Sequence, residues 1–107
     1  MTDLESDGCR EPAPVSPGEL SREMRIVNRK GLHARATAKF VQCVDRFASD
    51  IKVTRCGETV GGDSIMGILT LGAGMGSTIT VSASGEDAKD ALDALEDLVA
   101  RRFGEDE

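Results

Sequence analysis

Two hydrophobic rhythms alternate along this chain, and their order limits the folds open to it. "EMRIVN" (23–28), "IKVTRC" (51–56) and "STITVSAS" (77–84) alternate apolar and polar residues as half-buried strands do. In the first, Met24, Ile26 and Asn28 share a side, although Val27 blurs the pattern. "GETV" (57–60) follows the second at Gly57, which marks a hairpin turn and a further strand. Between the first two strands, "ARATAKFVQCVDRFA" spaces Ala36, Phe40, Cys43, Val44 and Phe47 by threes and fours, one buried stripe of a helix. "SGEDAKDALDALEDLVARRF" does the same with Ala88, Ala91, Leu92, Leu95, Leu98 and Val99. Ser84 with Asp87 reads as a capping box, and Glu86, Asp87 and Asp90 crowd the helix's positive end, opposite Arg101 and Arg102. "SIMGILTL" (64–71) fits either a strand or a short helix capped by Ser64 with Ile65, Met66 and Leu69 inward. Glycines 72, 74 and 76 link it to the next strand. With a helix there, four amphipathic strands and helices on one face make a two-layer α/β sandwich, its other sheet face open to solvent.

The chain has 107 residues, enough for one domain around one small core. It has no Trp or Tyr and three Phe, so that core is aliphatic. Residues 1–21 hold all three prolines and no periodic apolar positions, and read as a disordered tail before a domain at 22–104. The net charge of -6 is uneven: residues 25–64 carry eight basic and four acidic side chains, residues 86–107 three and nine. An acidic chain with one basic face argues against general nucleic-acid binding and suits docking to an acidic protein surface. Three cysteines stand at no metal-ligand spacing, and Cys43 reads as a small core residue. No signal peptide or membrane-length apolar run is present, so a cytoplasmic location without membrane insertion is expected.

The only histidine, His33, stands directly before the first helix, at or beside its N-cap. Free backbone N–H groups there attract an anion, and Arg35 adds a planar fork suited to phosphate oxygens. Imidazole carries a phosphoryl group covalently at neutral pH. On spacing alone, a surface histidine filling a loop remains the commoner case. No second metal ligand lies near His33 in sequence, no Walker-type loop exists, and no Ser–His–Asp set can be assigned, so no cofactor or metal is expected. A chain this small suits a covalent carrier better than an enzyme enclosing its substrate.

Two motifs then point to a family. "GLHARATAKF" (31–40) resembles the active-site signature, and "GDSIMGILTLGAG" (62–74) the regulatory serine region, of the HPr phosphocarriers of the bacterial phosphoenolpyruvate-dependent phosphotransferase system. His33 and Ser64 stand 31 residues apart, as in that family. The resemblance covers residues 23–103. It implies an α+β βαββαβα fold, with an antiparallel sheet in order 1-4-2-3 and three helices on one side, and so a short helix at "SIMGILTL". It implies a carrier, not a stand-alone enzyme: His33 phosphorylated on Nδ1 by enzyme I, Arg35 supporting it, and an EIIA-type acceptor. It further implies that Ser64 is phosphorylated by an HPr kinase/phosphorylase and that Ile65, Met66 and Leu69 belong to the docking surface. A monomer is expected, since one face must meet successive partners. Where the family usually has proline after the arginine this chain has Ala36, which points to proteobacterial branches with regulatory or incomplete phosphotransferase systems. A regulatory module controlled through Ser64, with little transport traffic, and an unrelated small α/β binding domain are the competing functions.

Overall fold

The computed structural model describes residues 19–105, so most of the proposed tail lies outside the described residues. Its elements follow the two rhythms in order: β1 Leu20–Arg25, α1 Ala34–Val44, β2 Asp50–Arg55, β3 Glu58–Gly61, α2 Ile65–Thr70, β4 Thr78–Ser84 and α3 Ala88–Ala100, then a 3-10 turn at Arg102–Gly104. The sheet runs β1-β4-β2-β3 with every neighbouring pair antiparallel. β1 begins at Leu20, so two residues assigned to the tail by composition pair with β4, Leu20 opposite Ala83 and Ser21 opposite Ser82. β2 and β3 are joined by Cys56 (φ 56) and Gly57 (φ 79), a two-residue turn with both φ positive that matches the twist of the strands.

Met24, Ile51, Val53, Ile79, Val81 and Ala83 form the inward face of the sheet, and all are buried. α1 lays Ala36, Phe40, Cys43 and Val44 on that face, and α3 lays Ala88, Ala91, Leu92, Leu95 and Val99 beside them. Phe47 and Leu98 pack at the margin, half-buried. The Cys43 thiol is buried as its place in the stripe requires, and desolvation pushes its pKa up.

"SIMGILTL" is a helix, but its inward face differs from the one that its apolar residues alone predict. Ile68 is fully buried, whereas Ile65 and Met66 are 41% and 71% exposed. Gly67 explains the rotation, because a Cβ there would meet the Val60 side chain at 3.0 Å. The helix therefore comes down on β3 at Gly67, with Ile68 in the core. The capping box at the start of α3 does not form either. Asp87 is the N-cap but makes no side-chain cap bond. Its carboxylate reaches across to the loop after α1 instead, accepting the N–H groups of Ala48 (2.8 Å) and Ser49 (3.0 Å) and the Ser49 hydroxyl. The Ser49 hydroxyl, with the two N–H groups, holds the Asp87 carboxyl below the usual range, against some desolvation.

Candidate functional site

His33 is held by two loops and a helix start. After β1 the chain keeps its inward alternation, burying Ile26 and Asn28 while Val27 is exposed. This loop is bonded along its length to the loop before β4. Ile26 N–H donates to Ser77 O (2.8 Å), Gly76 N–H to Ile26 O (2.7 Å) and Leu32 N–H to Ala73 O (2.9 Å). Gly31 is where the two loops touch: its φ is +66, and a Cβ would lie 2.6 Å from Ala73 O and from Gly74 Cα. Leu32 is buried next to it, and its carbonyl accepts the hydroxyl of buried Thr37 at 3.1 Å. His33 thus enters α1 from a fixed direction.

His33 is the N-cap of α1, with extended backbone (φ -75, ψ -179) and its carbonyl accepting Thr37 N–H at 2.9 Å. Nδ1 accepts the N–H of Arg35 at 3.3 Å. The sequence placed the imidazole at this helix end, and here its Nδ1 lone pair faces the end's free donors. Arg35 is exposed, within the first turn. Ala36 is fully buried, so it serves the core as well as the turn.

Two further residues complete the site, and spacing along the chain had not pointed to them. The Glu105 carboxylate lies 2.5 Å from His33 Nε2 and accepts the Asn28 side-chain amide at 3.1 Å. Asn28, fully buried, also donates to Gly31 O at 2.8 Å. Burial works against ionisation of Glu105, but hydrogen bonds from His33 and Asn28, helped by the positive charge of Lys30, hold its carboxyl below the ordinary range. The only sequence trace of this arrangement is Asn28 on the inward side of the first strand pattern. Glu105 lies past the final helix, where no periodicity applies.

Ser64 is the N-cap of α2 and its hydroxyl accepts Gly67 N–H at 3.0 Å. Ile65 and Met66 project from that first turn, Leu69 is half-buried, and Met75 in the loop bonded to the histidine loop is 63% exposed. A groove of about 520 Å³ between α1 and α3, lined by Lys39, Gln42, Cys43, Arg46, Asp97 and Arg101 among others, does not include His33. The histidine is 28% exposed and lies outside that groove. Among the described residues no helix is long and apolar enough to cross a membrane.

Comparison with known proteins identifies the family of this chain. Residues 20–101 match the PTS-HPr family, described as the PTS HPr component phosphorylation site. The chain is 49% identical over 88 residues to a phosphocarrier protein HPr of Cupriavidus necator, covering 82% of this chain and 99% of that one. It is 43% identical over 86 residues to a phosphocarrier protein HPr of Pseudomonas aeruginosa, covering 79% and 96%. Among solved structures it resembles HPr from Thermoanaerobacter tengcongensis (TM-score 0.79, 41% identity, 82% of this chain and 99% of that one). A phosphocarrier protein HPr from Bacillus anthracis is similar as well (TM-score 0.73, 42% identity, 76% and 96%).

Proposed function

This chain belongs to the HPr family and is a histidine phosphocarrier of the phosphotransferase system, and from that premise we propose that His33 carries the phosphoryl group on Nδ1. One observation supports the assignment above others: His33 is the only histidine of the 107 residues. Its Nδ1 faces the N-terminus of α1, where backbone N–H groups stabilise phosphoryl oxygens. Arg35, in the first turn of α1, supplies a guanidinium for the charge that develops during transfer.

Family members exchange phosphoryl groups with enzyme I and EIIA-type proteins. In this chain the apolar patch of Ile65, Met66 and Leu69 receives both partners in turn, and exposed Met75 extends it toward the histidine loop. Ser64 is the regulatory site, phosphorylated by an HPr kinase/phosphorylase. The added charge of about -1.5 to -2 falls beside Asp63 and these apolar side chains. The carrier works in the cytoplasm as a monomer, presenting one face to each partner.

Incubation with enzyme I and phosphoenolpyruvate, followed by peptide mapping, tests the assignment. An acid-labile, base-stable phosphoryl group on the peptide containing His33 is the expected result. Stable label elsewhere, or none, would exclude it.

A further inference from the structure

The chain after α3 takes an unusual path to reach His33. Arg102 (φ 58), Phe103 (φ 55) and Gly104 (φ 79) are three consecutive residues in the left-handed region, unfavourable for the first two. The turn persists because its surroundings hold it. The Phe103 side chain is fully buried, Lys39 Nζ donates to Phe103 O at 2.7 Å, and Glu105 N–H donates to Arg102 O at 2.9 Å. Its result is to bring the Glu105 carboxylate, 17% exposed, against the imidazole edge opposite Nδ1, where buried Asn28 steadies it. Strained backbone, a buried anchor and a buried amide thus converge on one carboxylate at the reacting ring.

We propose that Glu105 is a positioning residue for phosphoryl transfer, accepting the Nε2–H of His33 so that Nδ1 is left as the nucleophile. This rests on the carrier reading above. An ionised carboxylate only accepts hydrogen bonds, so the proton of the neutral ring lies on Nε2. The Arg35 N–H pointing at Nδ1 requires the same tautomer. During transfer the Nδ1 lone pair forms a bond to phosphorus. The bond from phosphorus to the donor's leaving atom breaks, and its electron pair stays with the donor. The ring keeps its Nε2 proton and becomes positively charged. Glu105 faces that charge and stabilises it, while Arg35 and the helix N-terminus face the phosphoryl oxygens. When the group passes to the acceptor the ring returns to its neutral tautomer, still held by the same carboxylate. Lys30 is the other charge acting on Glu105.

Glu105→Gln keeps a neutral acceptor and Glu105→Ala removes it. With enzyme I and phosphoenolpyruvate, we expect kcat for His33 phosphorylation to fall roughly tenfold in the Gln variant and further in the Ala variant. KM should stay within about twofold, because the contact is strongest in the charged transition state. Proton NMR of the unphosphorylated protein supplies a readout that mere structural support would not move. The His33 Hε2 resonance should be protected from water exchange in the wild type, shifted upfield in the Gln variant and lost in the Ala variant. A wild-type kcat in either variant, a KM effect alone, or an unprotected Hε2 in the wild type would overturn the proposal. A wild type that takes no label on His33 would overturn the carrier reading itself, and the resonance, observed without enzyme I, would still decide the pairing.

Discussion

Two helices of this protein start with a residue whose side chain accepts a backbone N–H of the same helix, and the two starts behave differently. At α2, Ser64 bonds Gly67 N–H at 3.0 Å, the ordinary N-cap span of three residues. At α1, His33 Nδ1 reaches Arg35 N–H, two residues on, at 3.3 Å. The serine bond is complete. The histidine bond is loose and occupies the lone pair that a phosphoryl group would take. Its ring is fixed from the other side by Glu105. One start is built to hold and the other to exchange, and the difference lies in which atom bears the fixing contact.

The sharpest way to break this comparison is His33→Ala. It should abolish phosphoryl uptake from enzyme I, since no second imidazole exists in the chain. It removes the loose cap bond and leaves the Glu105 carboxylate without its ring partner, so the thermal midpoint should fall by several degrees, corresponding to about 1–2 kcal/mol. Mass spectrometry with a thermal melt checks both halves, and retained full label would sink the assignment. Arg35→Ala comes next. Loss of the guanidinium should slow transfer roughly tenfold while leaving the acceptor nitrogen in place. Rates unchanged with both enzyme I and the acceptor would show that Arg35 points away.

At the other helix start, Ser64→Asp should keep the circular dichroism spectrum, because Asp also caps. It should lower kcat/KM with enzyme I several-fold by setting charge beside Ile65 and Met66, an effect of order 1 kcal/mol. An unchanged kcat/KM for both this variant and Ser64-phosphorylated protein would remove the regulatory role. Ser64→Ala should lose about 1 kcal/mol of stability from the cap and leave transfer intact, seen by chemical denaturation. The smallest expected effect concerns pH. The Glu105 carboxyl is lower in the folded than in the unfolded chain. Its contribution is therefore complete above the unfolded value, about 4.3, and is lost as pH falls through the lower folded one. The difference in thermal midpoint between wild type and Glu105→Gln should be greatest near neutrality and close below about pH 4.

What the sequence could reveal divides along the same lines. The element order was legible because each strand and helix buries one face, so the periods of Met24–Ile26–Asn28 and Ala36–Phe40–Cys43 report it directly. Of the candidate site, the place of His33 at the start of α1 was legible, because the apolar stripe that follows it marks that end of the helix. The inward face of α2 was not, because Gly67 carries no hydrophobic signal, and its lack of a side chain is what sets the rotation. The role of Asp87 was misread for a similar reason. Its three partners lie 38 or 39 residues away, and a local capping rule cannot weigh them against Ser84. Glu105 depended on a left-handed turn at Arg102 and Phe103, residue types that give no warning of it.

The strand order has a consequence for how the protein comes into being. β4 is flanked by β1 and β2, so among the described strands β1 pairs only with the last one made, Leu20 opposite Ala83. Closing so long a stretch of chain costs entropy before it returns any contact, which slows folding. On the ribosome, the β2–β3 hairpin and α1 can form early, whereas β1 stays unpaired until β4 has emerged. The loops that aim His33 are bonded to each other next to that same late pairing, through Ile26, Leu32, Ala73, Gly76 and Ser77. A nascent chain therefore presents its histidine in working geometry only after nearly the whole domain has been synthesised.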